Sequence, residues 1–120
     1  MKIAVTSTGN ELISDMDPRL GRAKYFIVVK AETLEYEVVK NEQNLNLPQG
    51  AGIQAAKTIV DQKAEVLISG NCGPKAFDVL NAAGIKVITG VKGRVIDAIT
   101  RYKSGQLQVA GRANVEGHWV

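Results

Sequence analysis

The chain has 120 residues and a formal net charge of +3, with 45% hydrophobic and 22% charged residues, the proportions of a globular protein. One domain over residues 1–120 is therefore expected, and disordered, collagenous and coiled-coil chains are excluded. Aromatic residues make up only 5% of the chain, too few for the stacking platforms that bind single-stranded nucleic acid, so nucleic acid is not an expected partner.

The sequence shows no targeting or membrane segment. Met1 and Lys2 lead directly into an apolar run without a signal-peptide pattern, and the single cysteine cannot form an intramolecular disulfide. No apolar stretch approaches the roughly 18 residues of a membrane span. These features predict a cytoplasmic protein with no membrane partner.

The first half of the chain predicts strands. Residues 3–5 form a short buried strand that ends in a loop of small residues, and a long polar loop follows. Residues 25–29 and 36–39 are close enough in sequence to form an antiparallel hairpin. Residues 41–49 are too polar for a core and are expected to form a connector.

The second half of the chain alternates helices with short strands. The predicted elements are a helix over residues 51–63, a strand over 66–68, a helix from Pro74 to the stop at Gly84, a strand over 87–88 and a helix from Val95 to the stop at Ser104–Gly105. This alternation implies parallel strands joined by right-handed crossovers. We expect an α/β domain with a ribonuclease H-like three-layer fold, in which a mixed sheet of about five strands, one of them antiparallel, is combined with three helices.

Ligands in open α/β sheets collect beyond the carboxyl ends of the parallel strands, where loops meet helix N-termini. Three loops are predicted to meet there, over residues 6–9, 69–73 and 89–93. Their glycines let backbone N–H groups approach a ligand, and the helix N-termini add partial positive charge, so the site favours an anion. The alternative is that these glycines only permit tight turns.

Basic residues suggest two further features. Arg19 and Arg22 flank Gly21 in a loop that can close over the predicted site, and guanidinium groups suit delocalised anions. A loop without function is the alternative. From Lys86 to Arg112 the chain has six basic residues and one acidic residue, a bias that suits a small anion, an acidic partner or a simple solvated face.

The single cysteine and the single histidine are the candidate metal ligands. Cys72 precedes a predicted helix N-terminus, where a thiolate is stabilised and its pKa lowered. A metal-ligating thiol and an inert buried cysteine are both open, and a catalytic nucleophile is disfavoured because no base lies nearby in the sequence. His118 lies close to the end of the sequence and reaches the site only if that segment folds back.

Other ligand-binding motifs are weak or absent. Residues 50–55 loosely fit a dinucleotide fingerprint, but a polar loop stands where the fingerprint needs a strand, and no P-loop pattern occurs. Asp15 and Asp17 lack the further carboxylates of a two-metal nuclease site. Asx turns before Pro18 explain both aspartates.

Five segments in order carry a family resemblance: KIAVTSTG at 2–9, DPRLGRAKYF at 17–26, QGAGIQAAK at 49–57, GNCGPKAFDVLNAAGIKV at 70–87 and ANVEGHW at 113–119. Through them the chain resembles the dinitrogenase iron-molybdenum cofactor biosynthesis family, which includes nitrogenase cofactor carriers and orange proteins. The last segment is most similar to orange proteins. Where relatives often have His-Phe-Gly-Arg-Ala, this chain has Arg19–Ala23, so a histidine ligand from that loop is missing.

The resemblance implies a non-catalytic protein that binds or carries an anionic metal-sulfur cluster, of molybdenum-copper sulfide type or of iron-sulfur or iron-molybdenum type. The predicted cofactor-binding residues are Thr6, Ser7, Gly9, Arg19, Gly21, Arg22, Asn71, Gly73 and Lys75, and the candidate metal ligands are Cys72 and His118. The alternative is an interaction module whose basic surface recruits an ATPase or a redox partner and holds no cluster. A thiol enzyme that depends on Cys72 ranks third.

Overall fold

The computed structural model describes residues 1–41 and 50–115 of the chain. Its strands are β1 (Lys2–Ser7), β2 (Tyr25–Lys30), β3 (Tyr36–Lys40), β4 (Val66–Ile68) and β5 (Lys86–Ile88), and its helices are α1 (Ala51–Asp61), α2 (Pro74–Ala82) and α3 (Val95–Lys103). Every predicted strand and helix is present. None of the helices in these two ranges is long and apolar enough to cross a membrane.

The strands form a sheet in the order β3-β2-β1-β4-β5. β2 runs antiparallel to β1 and β3, whereas β4 runs parallel to both β1 and β5. β2 is therefore the one antiparallel member of the described sheet. The predicted ribonuclease H-like fold, with a five-stranded mixed sheet and three helices, is confirmed.

The first apolar core lies between one face of the sheet and helices α1 and α2. Side chains of alternate strand residues reach this face, because successive residues of a strand point to opposite sides. Ala4, Phe26 and Leu67 of the sheet share a cluster with Ile59 of α1 and Leu80 of α2, and all five are fully buried. Complete burial of a side chain such as Ile59 stabilises the fold by about 1.5–3 kcal/mol.

The second apolar core lies between the opposite face of the sheet and α3. Ile3, Ile27 and Ile68 share this cluster with Val95 and Ile99 of α3. Because both faces of the sheet are covered, the central strands are continuous apolar runs rather than alternating ones.

Two element boundaries differ from the predictions by two residues, and the others differ by one residue at most. α1 ends at Asp61 instead of Lys63, because Lys63 has a φ of 60°, which is incompatible with a right-handed helix. β1 continues through Thr6 and Ser7, because its pairing with β2 extends to Ser7 opposite Tyr25. This extension brings two buried hydroxyl groups to the carboxyl end of the sheet.

Candidate functional site

The carboxyl ends of β1 and β4 are joined by buried hydroxyl groups. Thr6, in β1, donates its hydroxyl hydrogen to the carbonyl oxygen of Asp17 at 2.6 Å, and its Oγ1 lies 3.3 Å from Ser69 Oγ. Ser69, which follows β4, donates to the carbonyl oxygen of Asn71 at 3.2 Å. Because Thr6 and Ser69 are fully buried and hydrogen bonded, their role in the described structure is to hold the surrounding loops together.

The loop over residues 17–24, named here the arginine loop, is attached to the turn between β4 and α2. Asp17 Oδ1 accepts the backbone N–H of Arg19 at 3.0 Å, which is the Asx turn that the sequence predicts. The N–H of Asn71 donates to the carbonyl oxygen of Pro18 at 2.8 Å, and Arg19 pairs with Asn71 in a parallel bridge. The Arg19 side chain is 53% exposed, with its Nε 4.0 Å from Asp17 Oδ1, so an anion can reach its guanidinium from solvent.

This attachment requires glycine at position 70. A Cβ at Gly70 would lie 2.8 Å from both the Cα and the carbonyl oxygen of Pro18, and these are backbone atoms that cannot easily move aside. The carbonyl oxygen of Gly70 also accepts the N–H of Gly90, in the loop after β5, at 2.8 Å. The loops that follow β1, β4 and β5 therefore meet at one end of the sheet, as the sequence predicts.

The N-terminus of α3 is covered by the chain itself. The N–H of Val95 donates to the carbonyl oxygen of Ser14 at 3.0 Å, and the N–H of Ile96 donates to that of Leu12 at 2.8 Å. These are N–H groups that a helix leaves without partners at its start. The loop after β1 has already bound them, so α3 offers fewer donors to an anion than the sequence predicts.

The N-terminus of α2 lies beside the arginine loop. Pro74 is the first helical residue, and the next residue, Lys75, is exposed. The bridge between Arg19 and Asn71 brings the arginine loop to the turn immediately before this helix. The positive end of the helix dipole, an exposed ammonium group and an accessible guanidinium group are therefore all contributed by adjacent segments, an arrangement suited to an anion.

Cys72 is fully buried, in the first core, with its Sγ 3.6 Å from the carbonyl oxygen of Gly73. Burial raises the pKa of the thiol from 9.0 to about 12, so the thiol is protonated at neutral pH. The lowered pKa expected before a helix N-terminus is wrong, because desolvation in the apolar core outweighs the helix dipole. The structure favours the inert buried cysteine, and metal ligation by Cys72 stays a prediction that requires the thiol to be uncovered.

The remaining predicted site residues that the structure describes lie in or beside these loops. Ser7 donates its hydroxyl hydrogen to the carbonyl oxygen of Gly9 at 2.7 Å, which forms a local turn after β1. Gly21 is buried in the arginine loop, and Arg22 is half-buried beside it. His118 lies outside the described residues. Contact of these residues with a ligand stays a prediction.

One residue of this region, Asn114, is not among the predicted site residues. Its Oδ1 accepts the N–H of Cys72 at 2.7 Å, immediately before α2. No periodicity or charge distinguishes Asn114 in the sequence. The available signal is its place in the segment at 113–119 that carries the family resemblance.

The donors in this region suit an anion better than a bare metal ion. Within residues 1–41 and 50–115 no group of three or more His, Cys, Asp or Glu side chains could hold a metal ion. Cationic side chains and backbone N–H groups are present instead, and such groups hold an anion by charge and hydrogen bonds. The described site therefore suits an anion.

Two cavities lie away from this region. One, of about 140 Å³, is at the β2–β3 hairpin and is lined by residues that include Lys2 and Tyr36. The other, of about 330 Å³, lies between α1 and α2 and is lined by residues that include Lys57 and Val79. Neither belongs to the carboxyl-end site.

Comparisons with known proteins agree with the resemblance and the fold. The family model described as dinitrogenase iron-molybdenum cofactor matches residues 1–105. The apo form of the orange protein from Desulfovibrio gigas is similar to this chain, with a TM-score of 0.93, 44% sequence identity and coverage of 95% of this chain and 96% of that one. A Thermotoga protein described as NifB-like, of the DUF35 family, has a TM-score of 0.81 and 34% identity over 97% of this chain and 98% of its own.

A protein that is similar in sequence also matches most of the chain. An uncharacterized protein of Methanocaldococcus jannaschii is 30% identical over 111 residues, which are 90% of this chain and 90% of the relative. The matched region contains all five strands and all three helices described above. The chain therefore belongs to the dinitrogenase iron-molybdenum cofactor family.

Proposed function

We propose that this chain is a non-catalytic carrier of a preformed anionic metal-sulfur cluster, bound where the arginine loop meets the N-terminus of α2. Family membership supports a cofactor-related, non-catalytic role. The observation that carries the proposal is the attachment of Arg19 to Asn71, which brings an accessible guanidinium group to the turn before the helix.

The expected contacts are charge-assisted. A metal-sulfur cluster of this kind is a soft polyanion, and Arg19, Arg22 and Lys75 supply the cationic groups. Asn71 and Gly73 belong to the turn that immediately precedes α2. Contacts between exposed ions in water are individually weak, which suits a carrier because the cargo must also be released.

The likeness to known proteins decides which cluster to test first. The 44% identity with an orange protein favours a molybdenum-copper sulfide cluster as the first cargo to test. An iron-sulfur or iron-molybdenum cluster is second, because the family description refers to an iron-molybdenum cofactor.

The test is an anaerobic titration of the purified apo-protein with copper plus tetrathiomolybdate and, separately, with iron plus sulfide. Visible absorption follows binding, and metal analysis after desalting measures retention. We expect saturable, stoichiometric retention of one cluster. The double variant Arg19→Ala/Arg22→Ala should bind it at least about tenfold more weakly, because two charge-assisted contacts are lost.

A matched control removes the same charge elsewhere. Arg101→Ala/Lys103→Ala changes two exposed cations in the last turn of α3, away from the arginine loop, and should bind within about twofold of wild type. Equal weakening of both double variants would remove the arginine loop from the site. No retention of either cluster by the wild-type chain would overturn the carrier function.

One observation favours the alternative, an interaction module. Lys92, Arg94, Arg101, Lys103 and Arg112 are exposed, and none of them forms an ion pair within the described part of the chain. Such a basic surface suits an acidic face of an ATPase or a redox protein. Salt-sensitive capture of such a partner by a chain that retains no cluster would establish this function instead.

A further inference from the structure

The segment after α3, residues 106–115, crosses from one face of the sheet to the other and is named here the strap. Leu107 packs against the second core, whereas Ala110 and Ala113 pack against the first. Between them the strap passes the outer side of β5, where the N–H of Ala110 donates to the carbonyl oxygen of Val87 at 2.7 Å. The strap therefore connects the α3 side of the molecule to the side that contains Cys72.

Asn114 attaches the strap to the turn before α2. Its backbone N–H donates to the carbonyl oxygen of Cys72 at 3.2 Å, and its Oδ1 accepts the N–H of Cys72 at 2.7 Å. Its Nδ2 lies 3.1 Å from the carbonyl oxygen of Gly70 and 3.3 Å from Asn71 Oδ1. One residue thus binds three consecutive positions of the turn, including both backbone groups of Cys72.

The same turn is bound from its other side by the arginine loop. Asn71 donates to Pro18 and pairs with Arg19, while its neighbour Cys72 is bound by Asn114. The turn therefore lies between two segments that are distant in sequence. A movement of the strap changes the support of the residues to which Arg19 is attached.

The strap is also a weakly attached part of the described structure. It contains no helix or strand, and most of its residues are exposed. Its attachments within the described residues include the hydrogen bonds of Gln106, Ala110 and Asn114 and the apolar contacts of Leu107, Ala110 and Ala113. Segments with few buried contacts open locally at a lower free energy than global unfolding. Cys72 is fully buried in the cluster against which Ala110 and Ala113 pack, and both of its backbone groups are bound by Asn114.

We propose that Asn114 is a positioning residue: it holds the strap closed over Cys72 and fixes the turn that supports Arg19, so that opening of the strap exposes the thiol and weakens the cargo site. The predicted effect on cargo binding rests on the proposed carrier function. The predicted exposure of the thiol does not depend on that function.

Thiol labelling measures the opening directly. Cys72 is the single cysteine, so the rate of its reaction with N-ethylmaleimide, followed by mass spectrometry without denaturant, reports one site. Asn114→Ala should label at least about tenfold faster than wild type, because its three side-chain contacts with the turn are lost. Asn81→Ala, which removes an exposed asparagine side chain from α2, is the matched control and should label at the wild-type rate.

The urea dependence of labelling separates the strap from general destabilisation. Local opening exposes little surface, so the labelling rate of Asn114→Ala should depend only weakly on urea concentration. An unchanged labelling rate, or a rate with the full urea dependence of global unfolding, would overturn the proposal.

The effect of Asn114 on cluster binding is tested independently of the thiol labelling. If copper plus tetrathiomolybdate binds wild type, Asn114→Ala should bind it more weakly with Arg19 and Arg22 intact, and equal affinity would overturn the link to cargo. If no cluster binds wild type, the carrier function and this link both fail, while labelling still decides whether Asn114 holds the strap closed.

Discussion

The two ends of the parallel strands differ in whether polar side chains are buried there. The polar residues buried in the described structure all lie at the carboxyl end or bind its loops, and they are Thr6, Ser7, Asp17, Asn41 and Ser69. At the amino end, backbone bonds such as that from the N–H of Glu65 to the carbonyl oxygen of Lys2, at 2.9 Å, connect the turns without a buried polar side chain.

This difference places the buried polar groups at the end where the cargo site is proposed. Removing the hydrogen-bond partner of a buried polar group lowers the free energy of unfolding by about 1–3 kcal/mol. Buried polar groups therefore stabilise the segments to which they are hydrogen bonded. Here they hold the arginine loop and the turn before α2. Substitutions at the carboxyl end should therefore change both folding and ligand binding, whereas substitutions at the amino end should change little.

The largest expected effect is that of Gly70→Ala. The added Cβ would meet the backbone of Pro18 at 2.8 Å, and relief requires the arginine loop to move. We expect the free energy of unfolding to fall by about 3 kcal/mol, at the upper end of the usual cost of overpacking. Urea denaturation measures the loss.

An amino-end glycine provides the control for this substitution. Gly84, between α2 and β5, has a φ of 77°, but no atom lies within 4 Å of a Cβ built there. Gly84→Ala should therefore cost only about 1 kcal/mol of backbone strain. Equal losses of unfolding free energy at the two positions would show that the close approach of the arginine loop to Gly70 does not make the carboxyl end more sensitive to substitution.

The next effect in size is the alkaline sensitivity of Cys72. Its pKa is about 12 in the folded chain and 9.0 as the reference for the unfolded chain, so folding favours the protonated thiol. The stabilisation is complete below pH 9 and is lost as the pH rises toward 12. At pH 10 the loss amounts to about 1 kcal/mol.

Cys72→Ala isolates this contribution. Every other titratable group is common to both proteins, so the difference between their unfolding free energies at pH 8 and pH 10 reports the thiol alone. Wild type should lose about 1 kcal/mol more than the variant. Parallel curves would show that the thiol is solvated in the folded chain and that the strap does not cover it.

The sequence predicts the fold well because local signals and topology agree. Pro74 and Gly84 mark the limits of α2, and the apolar run at 66–68 coincides with β4. The alternation of helices and strands then leaves a parallel arrangement as the expected topology, and the meeting of three loops at the carboxyl end follows from it.

The details of the site were less predictable, because they depend on contacts between distant segments. The pKa of Cys72 is set by burial in a core that the strap helps to cover, about forty residues later in the chain, and not by the adjacent helix start. The α3 N-terminus is covered by carbonyl groups of Leu12 and Ser14. Asn114 acts through backbone groups, which have no signature in a single sequence.

The smallest expected effect lies at the amino end, at the exposed pair between Glu32 and the amino group of Met1. The amino nitrogen lies 2.7 Å from Glu32 Oε2, and the Glu32 side chain is 64% exposed. The hydrogen bond from this amino group lowers the pKa of Glu32 below 4.5. The contribution of the pair is therefore present above pH 4.5 and lost as the pH falls through the lowered pKa.

Because solvent screens exposed ions, Glu32→Gln should change Tm by less than about 1 °C at pH 7, as should the control Glu35→Gln. A carboxyl titration by NMR should place the midpoint of Glu32 below 4.5. A fall of several degrees in Tm for Glu32→Gln alone would show that the amino end also depends on polar side chains, and the contrast between the two ends would then fail.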